Sequence, residues 1–267
     1  MWTALFPNWK KFKFYFFSKE ASQILERLST EKFNLEIFKK GSSHYVFILS
    51  SFSGKKPLFL LKAFRSKLFE TNKVRKYLRT LSKLRELNIS VIKPIFLFWK
   101  NPQIAYLKRE SFYGGIIFPY IEKGFIKKDD IFLDDKKEKV NYELIKNLIF
   151  FLFKLHEKGI YLKDTKYNNF YYSKGDFKIF DLEGIKFYKK PLFKFERLKD
   201  LSTLAMVLEW QKVKNAKELV FNLYKQFYPE INEKDFGEFN CLVNKKRKKR
   251  EKKFATSCIK SQLRNNF

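Results

Sequence analysis

The stretch LHEKGIYLKDTKYNNFYYSKGDFKIFDLEGIKF, residues 155–187, decides how this chain is interpreted. An apolar helical pattern ends there in a short polar segment that contains Asp164, Lys166 and Asn169. Two apolar and aromatic runs follow, joined by a Lys-Gly-Asp turn, and this pattern predicts a β-hairpin. Asp181 comes directly after the second run. Because the strands of a hairpin are antiparallel, Asn169 and Asp181 are expected to lie close together at its open end.

These four polar residues form the set that phosphoryl transfer needs. Asp164 would orient or deprotonate the attacking hydroxyl, and Lys166 would neutralise the moving phosphoryl group. Asn169 and Asp181 would hold the Mg²⁺ ions that bridge the phosphates of ATP. A single Asp-x₄-Asn pair would indicate no more than a polar loop of an α/β protein. Four matched positions favour an ATP-dependent phosphotransferase that has an alcohol group as acceptor.

The same residues resemble the protein-kinase-like fold, in which H-R-D-x-K-x-x-N precedes D-F-G. Here the two segments read LKDTKYNN (162–169) and DLEG (181–184), with Leu162 and Lys163 in place of the His and Arg. The D-L-E ending and Tyr167, three residues after the aspartate, are more similar to the lipopolysaccharide kinase (Kdo/WaaP-type) family than to Ser/Thr/Tyr kinases.

This resemblance implies an α+β, two-lobed fold. Residues 33–122 would form a small lobe with an antiparallel sheet, and residues 123–243 a mainly helical large lobe, with Asp164 in the cleft. An aromatic and basic N-terminal extension (1–32) and a basic tail (244–267) would flank the lobes.

The pattern of the first half of the chain is typical of such a small lobe. Residues 33–38, 44–49 and 57–64 are rich in aromatic and β-branched side chains and are separated by turn-like segments, so they predict three strands. Lys62 lies within the third apolar run, and a buried lysine needs a partner. In the resembling fold this strand lysine grips the α- and β-phosphates of ATP.

The resemblance implies further ATP contacts around Lys62. A weak phosphate-covering turn would contribute Gly41, Ser42 and Ser43. The hinge, whose backbone holds the adenine, would contribute Tyr120 and Ile121. The helix predicted over residues 66–87 should carry a glutamate that pairs with Lys62. Glu70 is the candidate, although the family position falls nearer Tyr77.

The segment after Asp181 bears on the acceptor. Only residues 184–195 separate the predicted metal site from the next helix, and they contain no A-P-E sequence. Protein-substrate kinases use a longer activation segment there, so a small or lipid-linked acceptor is favoured. The resemblance implies that Asp200 in that helix hydrogen-bonds the backbone of the loop around Asp164.

The composition predicts attraction to polyanions. The chain has 267 residues, 45% of them hydrophobic, and a formal charge of +29 from 57 basic and 28 acidic residues. Such an excess favours nucleic acid, an anionic membrane surface or a phosphorylated glycolipid as partner. Residues 245–253 hold eight basic residues and one acidic residue, a run that most often is a solvated tail. Without residues 241–267 the charge is still +20.

The remaining signals concern location. Cys241 and Cys258, with His44 and His156, show no zinc-ligand spacing, and a reducing cytosolic compartment fits best. We expect no signal peptide and no segment that spans a bilayer, so any membrane contact would be peripheral.

Three interpretations of the function remain open. The first is a kinase of the bacterial cell envelope that phosphorylates a Kdo or heptose hydroxyl of the lipid A–core part of lipopolysaccharide. It would lie on the cytoplasmic face of the inner membrane, bound to its anionic glycolipid substrate. The alternative is a basic pseudokinase, or a nucleic-acid- or membrane-binding module without catalysis. A small atypical kinase with another acceptor is the third interpretation.

Overall fold

Two units make up the chain in the computed structural model, Met1–Lys123 and Gly124–Phe267. The structure describes residues 5–6, 9–52, 54, 56–68, 71–134, 136 and 139–265. For residues 253, 254 and 256–265 it describes the backbone alone.

A six-stranded antiparallel sheet forms the first unit, in the order β1-β5-β6-β4-β3-β2. The strands are β1 (Lys13–Phe16), β2 (Phe33–Lys40), β3 (His44–Ser51), β4 (Pro57–Arg65), β5 (Phe96–Trp99) and β6 (Phe112–Pro119). The three strands predicted from residue 33 onward are therefore confirmed. Strand β1 pairs with β5, so residues 13–16 belong to the sheet and not to an extension outside it.

Phenylalanine side chains fill the core on one face of this sheet. Phe98 is fully buried, and its ring centroid lies 4.7 Å from that of Phe6 and 5.6 Å from that of Phe12. Ala21 and Leu28 of the helix α1 (Glu20–Thr30) belong to the same buried cluster. Edge-to-face and tilted ring pairs of this kind add to the stabilisation that burial alone provides. Much of the high phenylalanine content thus serves packing.

In the first unit one helix begins later than predicted, and another forms where a strand was predicted. The helix predicted over 66–87 is α2 (Lys73–Glu86), which begins late because the Asn72 side chain accepts the Arg75 N–H at 3.0 Å. The aromatic and apolar content of residues 104–122 predicts a strand pair, but the segment begins within a short helix, α3 (Pro102–Leu107). Asn101 caps this helix and proline occupies its first turn, a combination that starts helices and overrides the apolar content of the segment.

The second unit is mainly helical and carries two small antiparallel sheets. Its elements are α4 (Tyr142–Glu157), β7 (Ile160–Tyr161), β8 (Phe170–Ser173), β9 (Asp176–Ile179), β10 (Lys186–Phe187), α5 (Lys194–Trp210), α6 (Ala216–Phe227) and α7 (Glu233–Asn265). Strand β8 pairs with β9, which confirms the predicted hairpin, and β7 pairs with β10. Residues 200–208 of α5 are all buried, so this helix forms the centre of the unit.

The C-terminal helix also differs from the prediction. The sequence predicts a helix over residues 233–243 that ends before the basic tail, but α7 continues from Glu233 to Asn265 without a break. Lysine and arginine have good helix propensity, so the basic run prolongs the helix that precedes it. It packs against α5, and its buried side chains include Phe239 and Val243.

Candidate active site

Asp200 fixes the backbone of the Asp164 loop, residues 162–169. This aspartate is fully buried in α5, and its two carboxylate oxygens accept the N–H groups of Leu162 at 2.8 Å and Lys163 at 2.7 Å. Thr165 donates its hydroxyl to the Asp200 carbonyl at 2.6 Å, which ties the other side of the loop to the same residue. The predicted contact between Asp200 and the loop is confirmed. Hydrogen bonds to a charged acceptor contribute about 1.5–3 kcal/mol each.

A buried histidine supports Asp200 from behind. His156, at the end of α4, places Nε2 3.3 Å from the Asp200 carboxylate and Nδ1 2.8 Å from the hydroxyl of Tyr224. The Arg197 guanidinium donates to the same hydroxyl at 3.2 Å, and burial raises the pKa of Tyr224, which keeps it protonated. The network therefore links α4, α5 and α6 beneath the loop.

The sequence interpretation did not assign this supporting role to His156. The sequence did carry one signal that His156 is buried, namely its helical spacing from apolar residues. Leu152, Leu155 and His156 all lie on the inward face of α4, and a histidine there needs a polar partner. Which partner it meets depends on α6, 68 residues away in sequence, and local patterns do not predict such distant pairings.

A close approach between two turns shapes the loop. Lys163 has a φ of 73° and Gly184, which follows the DLE segment, has a φ of 93°. A Cβ built on Gly184 would lie 3.1 Å from the Lys163 side chain. Both the positive φ and the limited space favour glycine at position 184.

Asp164, Lys166 and Asn169 meet within the loop. The Lys166 ammonium donates to the Asp164 carboxylate at 2.6 Å, and the Asn169 amide donates to the Asp164 carbonyl at 2.8 Å. The Asp164 side chain is 41% exposed and that of Lys166 is 22% exposed, so a substrate can reach both. A carboxylate beside an ammonium on a fixed backbone can accept a proton from a hydroxyl while the cation stabilises developing negative charge.

The hairpin brings the two predicted metal ligands to one end. Phe180 N–H donates to the carbonyl of Asn169 at 3.0 Å, so Asp181 lies one residue beyond that pair. Asp181 accepts the Glu183 N–H at 3.2 Å, which orients its carboxylate. Among the described residues no three His, Cys, Asp or Glu side chains cluster as a metal site. One carboxylate and one amide fit Mg²⁺ that completes its shell with phosphate oxygens and water.

Lys62 is the predicted phosphate ligand of the sheet unit. It is only 7% exposed, and β4 places it in register between Val46 of β3 and Ile116 of β6. Its ammonium lies 5.9 Å from the ring centroid of Phe64. The predicted partner Glu70 lies outside the described residues, and within α2 the last residue, Glu86, is the only acidic one.

The predicted turn residues lie between β2 and β3. Gly41 N–H donates to the His44 carbonyl at 3.0 Å, and a Cβ on Gly41 would lie 2.8 Å from that oxygen, so the turn requires glycine. Ser42 is exposed, and Ser43 Oγ lies 3.1 Å from His44 Nδ1. The serine hydroxyls and backbone remain candidate phosphate donors.

The predicted hinge residues directly follow β6. Tyr120 donates its N–H to the Leu58 carbonyl of β4 at 2.9 Å. That donor already serves the sheet, so an adenine would have to use other backbone groups of Tyr120 and Ile121.

Comparisons with known proteins identify the fold. No protein family model and no curated protein matches the chain. A solved structure described as WaaP in complex with acyl carrier protein matches it with a TM-score of 0.56 and 11% sequence identity, over 89% of this chain and 98% of the other. Another, an amicoumacin kinase hAmiN in complex with AMP-PNP, Ca²⁺ and Ami, matches with a TM-score of 0.48 and 12% identity, over 83% of this chain and 84% of the other. The likeness to WaaP confirms the predicted α+β, protein-kinase-like fold.

A helix that spans a bilayer needs about 20 consecutive, mainly apolar residues. No helix in the described ranges combines the length and the apolar composition that a membrane span demands.

Proposed function

We propose that this chain is an ATP-dependent phosphotransferase that acts on a hydroxyl group. The observation that carries the proposal is the Asp164 loop, in which a reachable carboxylate, an ammonium 2.6 Å away and an amide bonded to the Asp164 carbonyl occupy one fixed turn. The protein-kinase-like fold supports it, because that fold uses a loop of this composition for phosphoryl transfer.

The loop residues divide the chemistry between them. Asp164 accepts the proton of the attacking hydroxyl and orients its oxygen, and Lys166 neutralises charge on the group being transferred. Asn169 and Asp181 are the residues that would hold Mg²⁺, which when bound neutralises the phosphates of ATP. Lys62 is assigned to the α- and β-phosphates. The turn and hinge residues proposed to contact the rest of ATP are Gly41, Ser42, Ser43, Tyr120 and Ile121.

The acceptor we favour is a sugar hydroxyl of an anionic glycolipid, either Kdo or heptose of lipid A–core. Support comes from the formal charge of +29, which attracts a multiply phosphorylated lipid and disfavours a cationic acceptor such as an aminoglycoside. The short segment after Asp181, residues 184–195, leaves little chain for docking a protein substrate. Peripheral contact with the cytoplasmic face of the inner membrane, through basic and aromatic side chains, belongs to the same proposal.

Asp181→Asn tests the proposed metal site. Asparagine keeps an oxygen that can accept the Glu183 N–H but removes the charge that would attract the cation. We expect Mg²⁺-dependent ATP turnover to fall by about 10²-fold or more. Asp176→Asn, an exposed change of the same kind at the start of β9, is the matched control and should have wild-type turnover. Normal turnover and normal Mg²⁺ dependence in Asp181→Asn would show that Asp181 is no metal ligand.

A further inference from the structure

The basic run of α7, residues 245–253, has an inward face. Val243 is fully buried against the unit, and Lys246 follows it by three residues on the same side of the helix. One turn later the guanidinium of Arg250 lies 5.2 Å from the ring centroid of Trp210. The inward stripe of the helix thus continues into the basic run, where cations replace apolar side chains.

Lys246 connects this helix to the Asp164 loop. Its ammonium donates to the Lys199 carbonyl and to the Thr203 hydroxyl, both on α5. The Thr203 hydroxyl in turn donates to the carbonyl of Lys163 at 3.5 Å. A continuous path of polar contacts therefore runs from α7 through α5 to the residue that precedes Asp164.

We propose that Lys246 is a positioning residue for the Asp164 loop. Its ammonium holds the Thr203 hydroxyl toward the Lys163 carbonyl and so helps to fix the backbone that carries Asp164. Asp200 anchors the N–H groups of this segment, and the Lys246–Thr203 pair anchors a carbonyl that Asp200 cannot bind. The contact of Lys246 with the loop, through Thr203, does not depend on what the protein catalyses, whereas its effect on turnover rests on the proposed phosphotransferase function.

The charge of Lys246 is costly to bury, so its ammonium needs the polar partners that α5 provides. Burial lowers its pKa to about 8, while the charges of Asp200 and Asp164 act in the opposite direction. Since the unfolded chain binds this proton more tightly, the charged lysine opposes folding at neutral pH, and the penalty recedes only as the pH rises from about 8 toward 10.5. The hydrogen bonds to the Lys199 carbonyl and the Thr203 hydroxyl offset part of this cost.

Hydrogen exchange of the full-length protein tests the contact directly. In Lys246→Met we expect the amides of residues 160–168 to exchange about tenfold faster, because the loop opens more often when one anchor is lost. Lys245→Met removes an exposed lysine next to it on the same helix and should leave that exchange unchanged. Wild-type exchange in Lys246→Met would overturn the proposal.

Thr203→Val provides a second route that leaves α7 untouched. This change removes the hydroxyl between Lys246 and Lys163, and we expect the same acceleration, with no further increase in the double variant, because the two changes break one link. Effects on exchange that multiply in the double variant would overturn the proposal. No effect of Thr203→Val on exchange would also overturn it, even if Lys246→Met failed to fold.

Turnover separates this inference from the proposed function. If both hold, Lys246→Met lowers kcat by about tenfold with little change in the KM for ATP, since it disturbs the position of Asp164 and not nucleotide binding. A wild type without phosphotransferase activity would reject the proposed function, while the exchange result would still decide the role of Lys246.

Discussion

Asp164→Asn is expected to lower ATP-dependent phosphoryl transfer by about 10²–10⁴-fold, the range for removal of a general base. Asparagine keeps the size of the side chain and an oxygen that can accept from Lys166, but it cannot take the proton of the attacking hydroxyl. The backbone contacts of the loop with Asp200 do not involve the Asp164 side chain, so the fold should be unchanged. Binding of ATP should persist, because the proposed nucleotide contacts lie elsewhere. Single-turnover transfer and equilibrium nucleotide binding measure the two effects separately.

Asp176→Asn is again the control for Asp164→Asn, since it removes an exposed carboxylate of the same unit. Transfer at the wild-type rate by Asp164→Asn would show that this carboxylate is not the base. Loss of ATP binding together with transfer would instead indicate that Asp164 contributes to the binding site.

Asp200→Ala should cause the largest loss of stability among the changes considered. It leaves the N–H groups of Leu162 and Lys163 without their acceptor and removes the carboxylate beside the buried His156. Removing one partner of a buried charged network costs about 3–5 kcal/mol, because the remaining polar groups stay desolvated. Urea denaturation followed by circular dichroism measures the change in the free energy of unfolding.

Asp200→Asn offers a graded comparison. The amide keeps one acceptor oxygen, so it should destabilise less than alanine while still loosening the Asp164 loop. Asp176→Ala is the control, an exposed change whose free energy of unfolding should stay within about 0.5 kcal/mol of wild type. If Asp200→Ala and Asp176→Ala unfolded at the same urea concentration, the network around Asp200 would contribute nothing to stability.

The Asp164 loop and its hairpin could be predicted from sequence because their determinants are local. The spacing of Asp164, Lys166 and Asn169 and the Lys-Gly-Asp turn lie within one short stretch, and a hairpin has few alternative registers once its turn is fixed. The strands β2, β3 and β4 were predictable for the same reason, since each is an aromatic run that ends at a turn.

The limits of α2 and α3 could not be predicted as reliably. Asn72 and Asn101 each start a helix through a side-chain hydrogen bond, but asparagine is equally common in turns. The apolar residues after Pro102 fit a strand or a helix equally well over so short a length.

Contacts between residues far apart in the chain could not be predicted from the sequence. The sequence around His156 does not indicate that Tyr224 is its partner. In the basic run around Lys246 the usual apolar periodicity is missing, so the sequence does not show which lysine or arginine faces inward. The predicted cleft around Asp164 stays a prediction, as does the pairing of Lys62 with Glu70.

The acceptor is the part of the proposal that charge alone cannot decide, because a formal charge of +29 suits a glycolipid or a nucleic acid. The two differ in their dependence on Asp164. A polyanion binder needs only lysine and arginine, and its affinity falls steeply with salt whatever residue stands at position 164. In a kinase, the ATP turnover that the acceptor stimulates requires the Asp164 carboxylate.

Transfer of radiolabelled phosphate from ATP to purified lipid A–core is therefore the most direct test, with RNA binding measured in parallel for wild type and Asp164→Asn at matched salt. We expect Mg²⁺-dependent labelling of the lipid by the wild type and its loss in Asp164→Asn, with weak RNA binding by both proteins. No labelling of the lipid, together with tight RNA binding by wild type and Asp164→Asn alike, would contradict a glycolipid kinase and indicate a nucleic-acid-binding protein that has a kinase-like fold.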